Sequence, residues 1–94
     1  MPKHGIDDIR EKVRLGKYDM TFHAMEEMAE DHLDIVDIEQ AILTGKVIRI
    51  EKDDPRGIKY VVAGTAADGR IPVGAVGRFT ETGRFLIVTV YEIT

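Results

Sequence analysis

The histidine at position 23 is the side chain whose neighbours in the sequence most favour proton transfer. His23 lies in the first turn of a predicted helix, and Glu26 and Glu27 follow three and four residues later. That spacing brings side chains together on a helix surface. A histidine beside a carboxylate can act as a general acid or base near neutral pH. Polar helix surfaces without any catalytic role show the same pattern, so His23 is a candidate acid/base.

Three cationic side chains in the second half of the chain could bind phosphate. Arg49, Lys59 and Arg78 fall on the same parity of predicted strands, opposite the parity of Ile48 and Ile50. If helices cover the apolar face, the three cations point from the other face. There they could hold a phosphodiester and stabilise charge that develops on it. A solvated outer sheet face has the same composition, so this interpretation has an ordinary alternative.

The histidines do not form a recognised metal-binding motif. His4, His23 and His32 lie among acidic residues, but His23 and His32 are nine positions apart and point to different sides of a helix. The glycines lack the strand-to-helix context of a phosphate-binding loop. The sequence therefore predicts neither a metal site nor a cofactor.

Two helices joined by a tight corner are predicted to position His23. Thr21 is the predicted N-cap of the first. Helical spacing places five residues on one face of that helix: Phe22, Met25, Met28, Ala29 and His32. The second helix begins at Asp34, with Asp37 three residues on as in a capping box. It ends at Gly45, for which we expect a left-handed conformation.

The remaining elements are an earlier helix and a run of strands. Ile6, Ile9 and Val13 share a face of a helix that Gly16 ends. After Gly45 the hydrophobic pattern alternates, and it predicts strands over residues 47–52, 58–66, 70–79 and 84–93. The expected fold is α+β, with N-terminal helices packed on one face of a four-stranded antiparallel sheet.

The last predicted strand is apolar on both faces, which is unusual for the edge of a sheet. A simple meander would leave it at the edge, where apolar strands invite aggregation. We therefore expect a cover, either a short strand at 18–20 or a second subunit.

Composition restricts the class of protein. The 94 residues make a single domain, contain no cysteine and include no apolar run long enough to span a membrane. These features favour the cytoplasm. Residues 1–46 hold six Lys/Arg and eleven Asp/Glu (−5), and residues 47–94 hold seven and six (+1), which agrees with the net charge of −4. The net charge argues against non-specific binding to nucleic acid.

The helical segment resembles a family of small proteins known as domain of unknown function 4258. The matching residues are Thr21-Phe22-His23-Ala24-Met25-Glu26-Glu27-Met28, followed by Leu33, Asp37, Ile38, Ala41, Ile42 and Gly45. Family members typically have Ser-x-His-Ala-x-x-Arg-Met in this region and a last strand similar to Leu86-Ile87-Val88-Thr89-Val90-Tyr91. The resemblance extends over residues 18–93.

This resemblance implies an α+β fold similar to RelE-type messenger-RNA interferases and a toxin-like ribonuclease activity. It also implies an antitoxin protein as a partner, and it makes His23 the counterpart of the histidine in the family's Ser-x-His-Ala motif. Glu27 and Asp31 stand where the family usually has arginines. Two anions therefore replace two cations beside His23.

Two hypotheses follow. The first is a metal-independent RNA endonuclease in which His23 moves a proton while Arg49, Lys59 and Arg78 bind phosphate. The second is a non-catalytic protein-interaction or dimerising module, which would use the acidic helical face or an open sheet edge. RNA, an antitoxin protein and a second copy of the chain are the expected partners, and a membrane is not.

Overall fold

Eight elements follow one another along the chain. The computed structural model describes residues 5–94. Its helices are α1 (Ile6–Arg14), α2 (Phe22–Glu30) and α3 (Ile35–Thr44), and its strands are β1 (Tyr18–Met20), β2 (Lys46–Glu51), β3 (Lys59–Thr65), β4 (Pro72–Phe79) and β5 (Phe85–Glu92). The α+β class and the order of elements match the expectation. Among these residues, no helix has the length and apolar character needed to cross a membrane.

The sheet has five strands and is mixed, which corrects the prediction of a four-stranded antiparallel sheet. The strand order is β1-β5-β4-β3-β2. β2 to β5 form an antiparallel meander, while β1 lies parallel to β5 with Tyr18 opposite Phe85 and Met20 opposite Ile87. β1 has only three residues, which are too few to show an alternating hydrophobic pattern in the sequence. The apolar character of β5 is what indicated the need for this cover.

β1 covers only the first part of β5, and helix α2 covers the rest. The Thr21 hydroxyl donates to the carbonyl of Val88 at 3.3 Å. Further along, the N–H of Val90 donates to the Glu27 carboxylate at 3.1 Å, and the N–H of Glu92 donates to the Asp31 carboxylate at 2.9 Å. Side chains of one helix thus satisfy strand groups that would otherwise lack a partner.

The buried face of α2 is not the mainly apolar face that helical spacing indicates. Phe22 and Met25 are 75% and 47% exposed, while Ala24 is fully buried. The side that meets β5 carries Ala24, Glu27, Met28 and Asp31, at the spacing of one helix face. A helix that covers a strand edge must supply hydrogen-bond acceptors as well as apolar contacts, and a search for apolar spacing alone selects the wrong side.

The core lies between the sheet and helices α1 and α3. Its fully buried large side chains include Ile9, Ile38, Ile42, Phe85 and Ile87. We call the side of the sheet that faces α1 and α3 the helix face, and the opposite side the outer face.

Helix α3 lies unusually close to β3. At its start, the carboxylate of Asp37 accepts the N–H of Asp34 at 2.8 Å, as expected for a capping box. At its end, Gly45 has φ of −91°, so the left-handed conformation predicted for it is wrong. Glycine is required there by space, because a Cβ would lie 2.4 Å from the carbonyl oxygen of Ala41.

Candidate functional site

A cleft of about 300 Å³ opens where the start of α2 meets the outer face of the sheet. Its lining is mainly polar and comes from α2, the β2–β3 loop and strands β3, β4 and β5: Thr21, His23, Asp54, Arg56, Lys59, Arg78, Val88 and Thr89. Three of the four site residues proposed from the sequence, His23, Lys59 and Arg78, therefore lie in one cleft.

An irregularity in β5 positions the start of α2 at this cleft. Val76 pairs with Thr89 but Gly77 pairs with Ile87, so Val88 is an extra residue in the ladder. The backbone N–H of Thr21 donates to the carbonyl of Ile87 at 2.9 Å. The Thr21 hydroxyl also accepts the N–H of Ala24 at 3.1 Å, as a helix N-cap does. Thr21 thus attaches the first turn of α2 to the bulged strand.

His23 is held at the mouth of the cleft by a carboxylate that is itself held by the sheet. Its Nε2 lies 3.3 Å from Glu27, one turn along the helix, and the imidazole is 67% exposed. The other oxygen of Glu27 accepts the N–H of Val90. This chain of contacts places the imidazole beside a carboxylate that the sheet holds, while leaving it accessible to a substrate. It also gives Glu27 a structural reason to be a carboxylate.

Lys59 and Arg78 lie side by side on the outer face. Lys59 begins β3 and Arg78 is near the end of β4, one step beyond the paired residues Tyr60 and Gly77. Arg78 also passes close to Gly57, where a Cβ would lie 3.9 Å from the arginine Cδ. Among residues 5–94, the side chain of Arg78 forms no hydrogen bond or ion pair. Its guanidinium therefore has all its donors available for an anionic ligand.

Two charged residues of the cleft, Asp54 and Arg56, are not among the site residues proposed from the sequence. The segment Asp53–Gly57 lies between two predicted strands and forms a turn, and this turn brings Arg56 and Asp54 to the cleft. The Asp54 carboxylate accepts from the Arg56 side chain at 3.1 and 3.2 Å and lies 3.6 Å from the Lys59 ammonium. The hydrogen bonds from Arg56 lower the pKa of Asp54 to about 2. The signal available in the sequence was the spacing of Arg56, three residues before Lys59 at the start of a predicted strand.

Arg49 lies apart from this cleft, although the strand register places it on the same outer face. It pairs with Val61 across β2 and β3, and its Nε lies 2.9 Å from the Glu51 carboxylate. In that pairing Lys59 lies opposite Glu51, which is two residues further along β2 than Arg49. His32 is also distant from the cleft, at the end of α2 with φ of 57°. His4 is outside the described residues.

The cleft can bind and polarise an anion. Its lining carries three cationic side chains and one carboxylate, with a histidine beside them. Within the described part of the chain, no three His, Asp or Glu side chains group as metal ligands would. The chemistry available from these side chains is proton transfer by an imidazole next to a phosphate held by guanidinium and ammonium groups.

Comparison with known proteins identifies a family. A search of curated proteins and a search of solved structures each found no match. Residues 20–92, which include every element from α2 to β5, match the family model described as "Domain of unknown function (DUF4258)". That match covers most of the chain, and the protein therefore belongs to the DUF4258 family.

Proposed function

We propose that this protein is a metal-independent endonuclease that cleaves single-stranded RNA, with a RelE-like fold and a toxin-like role in the cytoplasm. The observation that supports it is the position of His23, Lys59 and Arg78 around one cleft. A proton-transfer group and two cations at one phosphodiester are what cleavage of RNA by its own 2′-hydroxyl requires.

In the proposed reaction, His23 accepts the proton of the 2′-hydroxyl that attacks the adjacent phosphorus. The new bond joins the 2′-oxygen to phosphorus, and the bond from phosphorus to the 5′-oxygen breaks. The 5′-oxygen takes a proton from water, so the products are a 2′,3′-cyclic phosphate and a 5′-hydroxyl end. Arg78 and Lys59 stabilise the negative charge that accumulates on the phosphate oxygens. Glu27 holds the imidazole in place.

A second, larger groove gives an RNA strand a path beyond the cleft. It has a volume of about 880 Å³ and is lined by residues 50–56 and Lys59. It shares Asp54, Arg56 and Lys59 with the cleft that contains His23. Lys52 and Arg56 can contact phosphates on one side of the scissile bond, which favours a single strand several nucleotides long over a mononucleotide.

The test is cleavage of single-stranded RNA in the presence of EDTA. We expect His23→Ala to lower the cleavage rate by about 10²–10⁴-fold, because the proton acceptor is lost. Arg78→Ala should lower it by about 10²–10³-fold through loss of charge stabilisation. Arg70→Ala is the matched control, since Arg70 is exposed in the β3–β4 hairpin at the other end of these strands.

Substrate chemistry provides a second control. A single 2′-deoxy substitution should abolish cleavage at that linkage, and the products should carry 2′,3′-cyclic phosphate ends. Absence of cleavage by the unmodified protein across varied RNAs would overturn the proposal. Cleavage that survives both His23→Ala and Arg78→Ala would remove these residues from the mechanism.

An exposed apolar surface supports a second candidate, a protein-interaction module that binds an antitoxin-like protein. Met25 and Ile35 line a cleft of about 410 Å³ beside β1, and Phe22, one turn before Met25, is 75% exposed. Apolar side chains grouped in this way mark interaction surfaces. Absence of cleavage, together with calorimetric binding of the neighbouring gene's product that Phe22→Ser weakens, would favour this candidate.

A further inference from the structure

The two edges of the sheet differ in whether their backbone groups have hydrogen-bond partners. At the β5 side, β1 and the side chains of α2 take up the strand's backbone groups. At the other side, β2 pairs with β3 only. Among residues 5–94, no hydrogen bond reaches the backbone of β2 from anywhere but the sheet. The outer edge of β2 therefore presents unpaired N–H and C=O groups, which is a template for another strand.

This open edge is also apolar. Ile48 and Ile50 on β2 are 57% and 47% exposed. A bulge between Val47 and Arg49 interrupts the pairing with β3, so the regular part of the edge is the segment from Arg49 onward. An exposed edge of this composition favours a partner that supplies both a strand and apolar side chains.

We propose that the occupant is a second copy of this chain, paired antiparallel through β2 about a two-fold axis at Ile50. In that register Arg49 lies opposite Glu51 of the second copy, Ile50 lies opposite Ile50, and Glu51 lies opposite Arg49. The sequence Arg49-Ile50-Glu51 is thus complementary to itself when reversed. The proposed interface excludes His23 and Arg78, although Ile50 and Glu51 also line the larger groove. The inference does not depend on RNA cleavage.

The strand register places these pairs on the correct faces. Arg49 pairs with Val61 and Glu51 with Lys59, so both charged side chains lie on the outer face. Ile50 pairs with Tyr60 and lies on the helix face. A two-fold axis perpendicular to the sheet keeps each face on its own side. Opposite charges then meet on the outer face and isoleucines meet on the helix face, both of which stabilise cross-strand pairs.

Each charged residue already has a partner of the right sign within its own chain. The Nε of Arg49 lies 2.9 Å from Glu51, and Glu51 lies 3.7 Å from Lys59. Two such pairs brought together across the axis form a cluster in which every arginine lies between two carboxylates. A peptide of unrelated sequence would pair with the same edge but would lack this charge match, and for this reason we infer self-association.

The experiment is a charge swap read by sedimentation velocity. Arg49→Glu places carboxylates at both positions 49 and 51, and Glu51→Arg places cations at both positions. Each variant alone should be monomeric, since like charges face each other across the axis. An equimolar mixture should form a heterodimer, because both cross-strand pairs are then complementary. The unmodified protein should change from monomer to dimer as its concentration rises to about 1 mM.

Matched apolar variants test the same interface without changing those charges. Ile50→Lys should abolish the dimer, while Val36→Lys, at a side chain on α3 that is 51% exposed, should leave it intact. Circular dichroism checks that each variant is folded. An unmodified protein that remains monomeric up to about 1 mM overturns the proposal, as does a dimer that Ile50→Lys leaves unchanged. A mixture of folded charge variants that stays monomeric contradicts the proposed register.

Discussion

At the scale of single residues, Asp54 decides how much positive charge the cleft offers. Its side chain is only 8% exposed and contacts both Arg56 and Lys59, so it partly neutralises two of the three cations. Arg78 makes no such contact with any residue in 5–94. A ligand phosphate therefore meets one cation at full strength and two that it must share with a carboxylate.

The pKa of Asp54 provides a test of this contact. Hydrogen bonds from Arg56 lower that pKa from 3.8 to about 2. Because the folded-state pKa is below the unfolded value, the stabilisation is present above pH 3.8 and is lost as the pH falls toward 2. A carboxyl-carbon NMR titration should give a midpoint near 2, and Arg56→Gln should move it toward 3.8. A midpoint near 3.8 in the unmodified protein would show that the contact is absent in solution.

At the scale of elements, the contact between α3 and β3 holds the helical layer on the sheet. It depends on glycine at two points, Gly45 at the end of α3 and Gly64 within β3. A Cβ on Gly64 would lie 1.9 Å from the carbonyl oxygen of Ala41. The neighbour is helix backbone, which cannot move aside as a flexible side chain can, so the separation of the two layers depends on these glycines.

Gly64→Ala should therefore destabilise the protein by about 1–3 kcal/mol or more, because the added methyl group separates α3 from β3. Gly5→Ala is the comparison, since a Cβ there meets nothing within 4 Å and φ is −149°. Its cost should be limited to that of a weaker N-cap on α1, about 1 kcal/mol or less. Urea unfolding measures both variants. Equal stability of Gly64→Ala and the unmodified protein would mean that the layers are not in close contact.

At the scale of the whole molecule, the sheet has one protected edge and one open edge. The protection of β5 combines a short parallel strand with carboxylates from α2. The same helix carries His23, so the element that covers the edge also positions the candidate catalytic group. The position of α2 therefore both covers the edge of β5 and forms one side of the cleft.

Amide hydrogen exchange tests this arrangement. Glu27→Ala should remove the acceptor of the Val90 N–H, a loss of about 1 kcal/mol that corresponds to a roughly fivefold faster local exchange. Asp31→Ala should act in the same way on the amide of Glu92. Glu26→Ala is the control, since Glu26 is exposed and forms no bond to β5. Exchange at Val90 that Glu27→Ala leaves unchanged would contradict the proposed cover.

The sequence alone was sufficient for features determined by neighbours along the chain. The cap at Thr21, the capping-box contact of Asp37 and the hairpin at Asp68-Gly69 were predictable because the interacting groups are within a few residues of each other. The four longer strands were also predictable, because burial of one face imposes an alternating pattern. His23 could be placed in the first turn of its helix because the cap, Thr21, is only two residues before it.

Only the tertiary structure decided which residues meet across the chain. The bulge at Val88 and the position of α2 along β5 bring His23 to Lys59 and Arg78, and the register of β2 leaves Arg49 outside their cleft. Parity along a strand shows which face a side chain takes, but it does not show how far along the sheet that side chain lies. The carboxylates of α2 show a further limit of sequence patterns. A pattern can indicate that a polar residue lies on a helix, but it does not reveal which backbone group that residue satisfies.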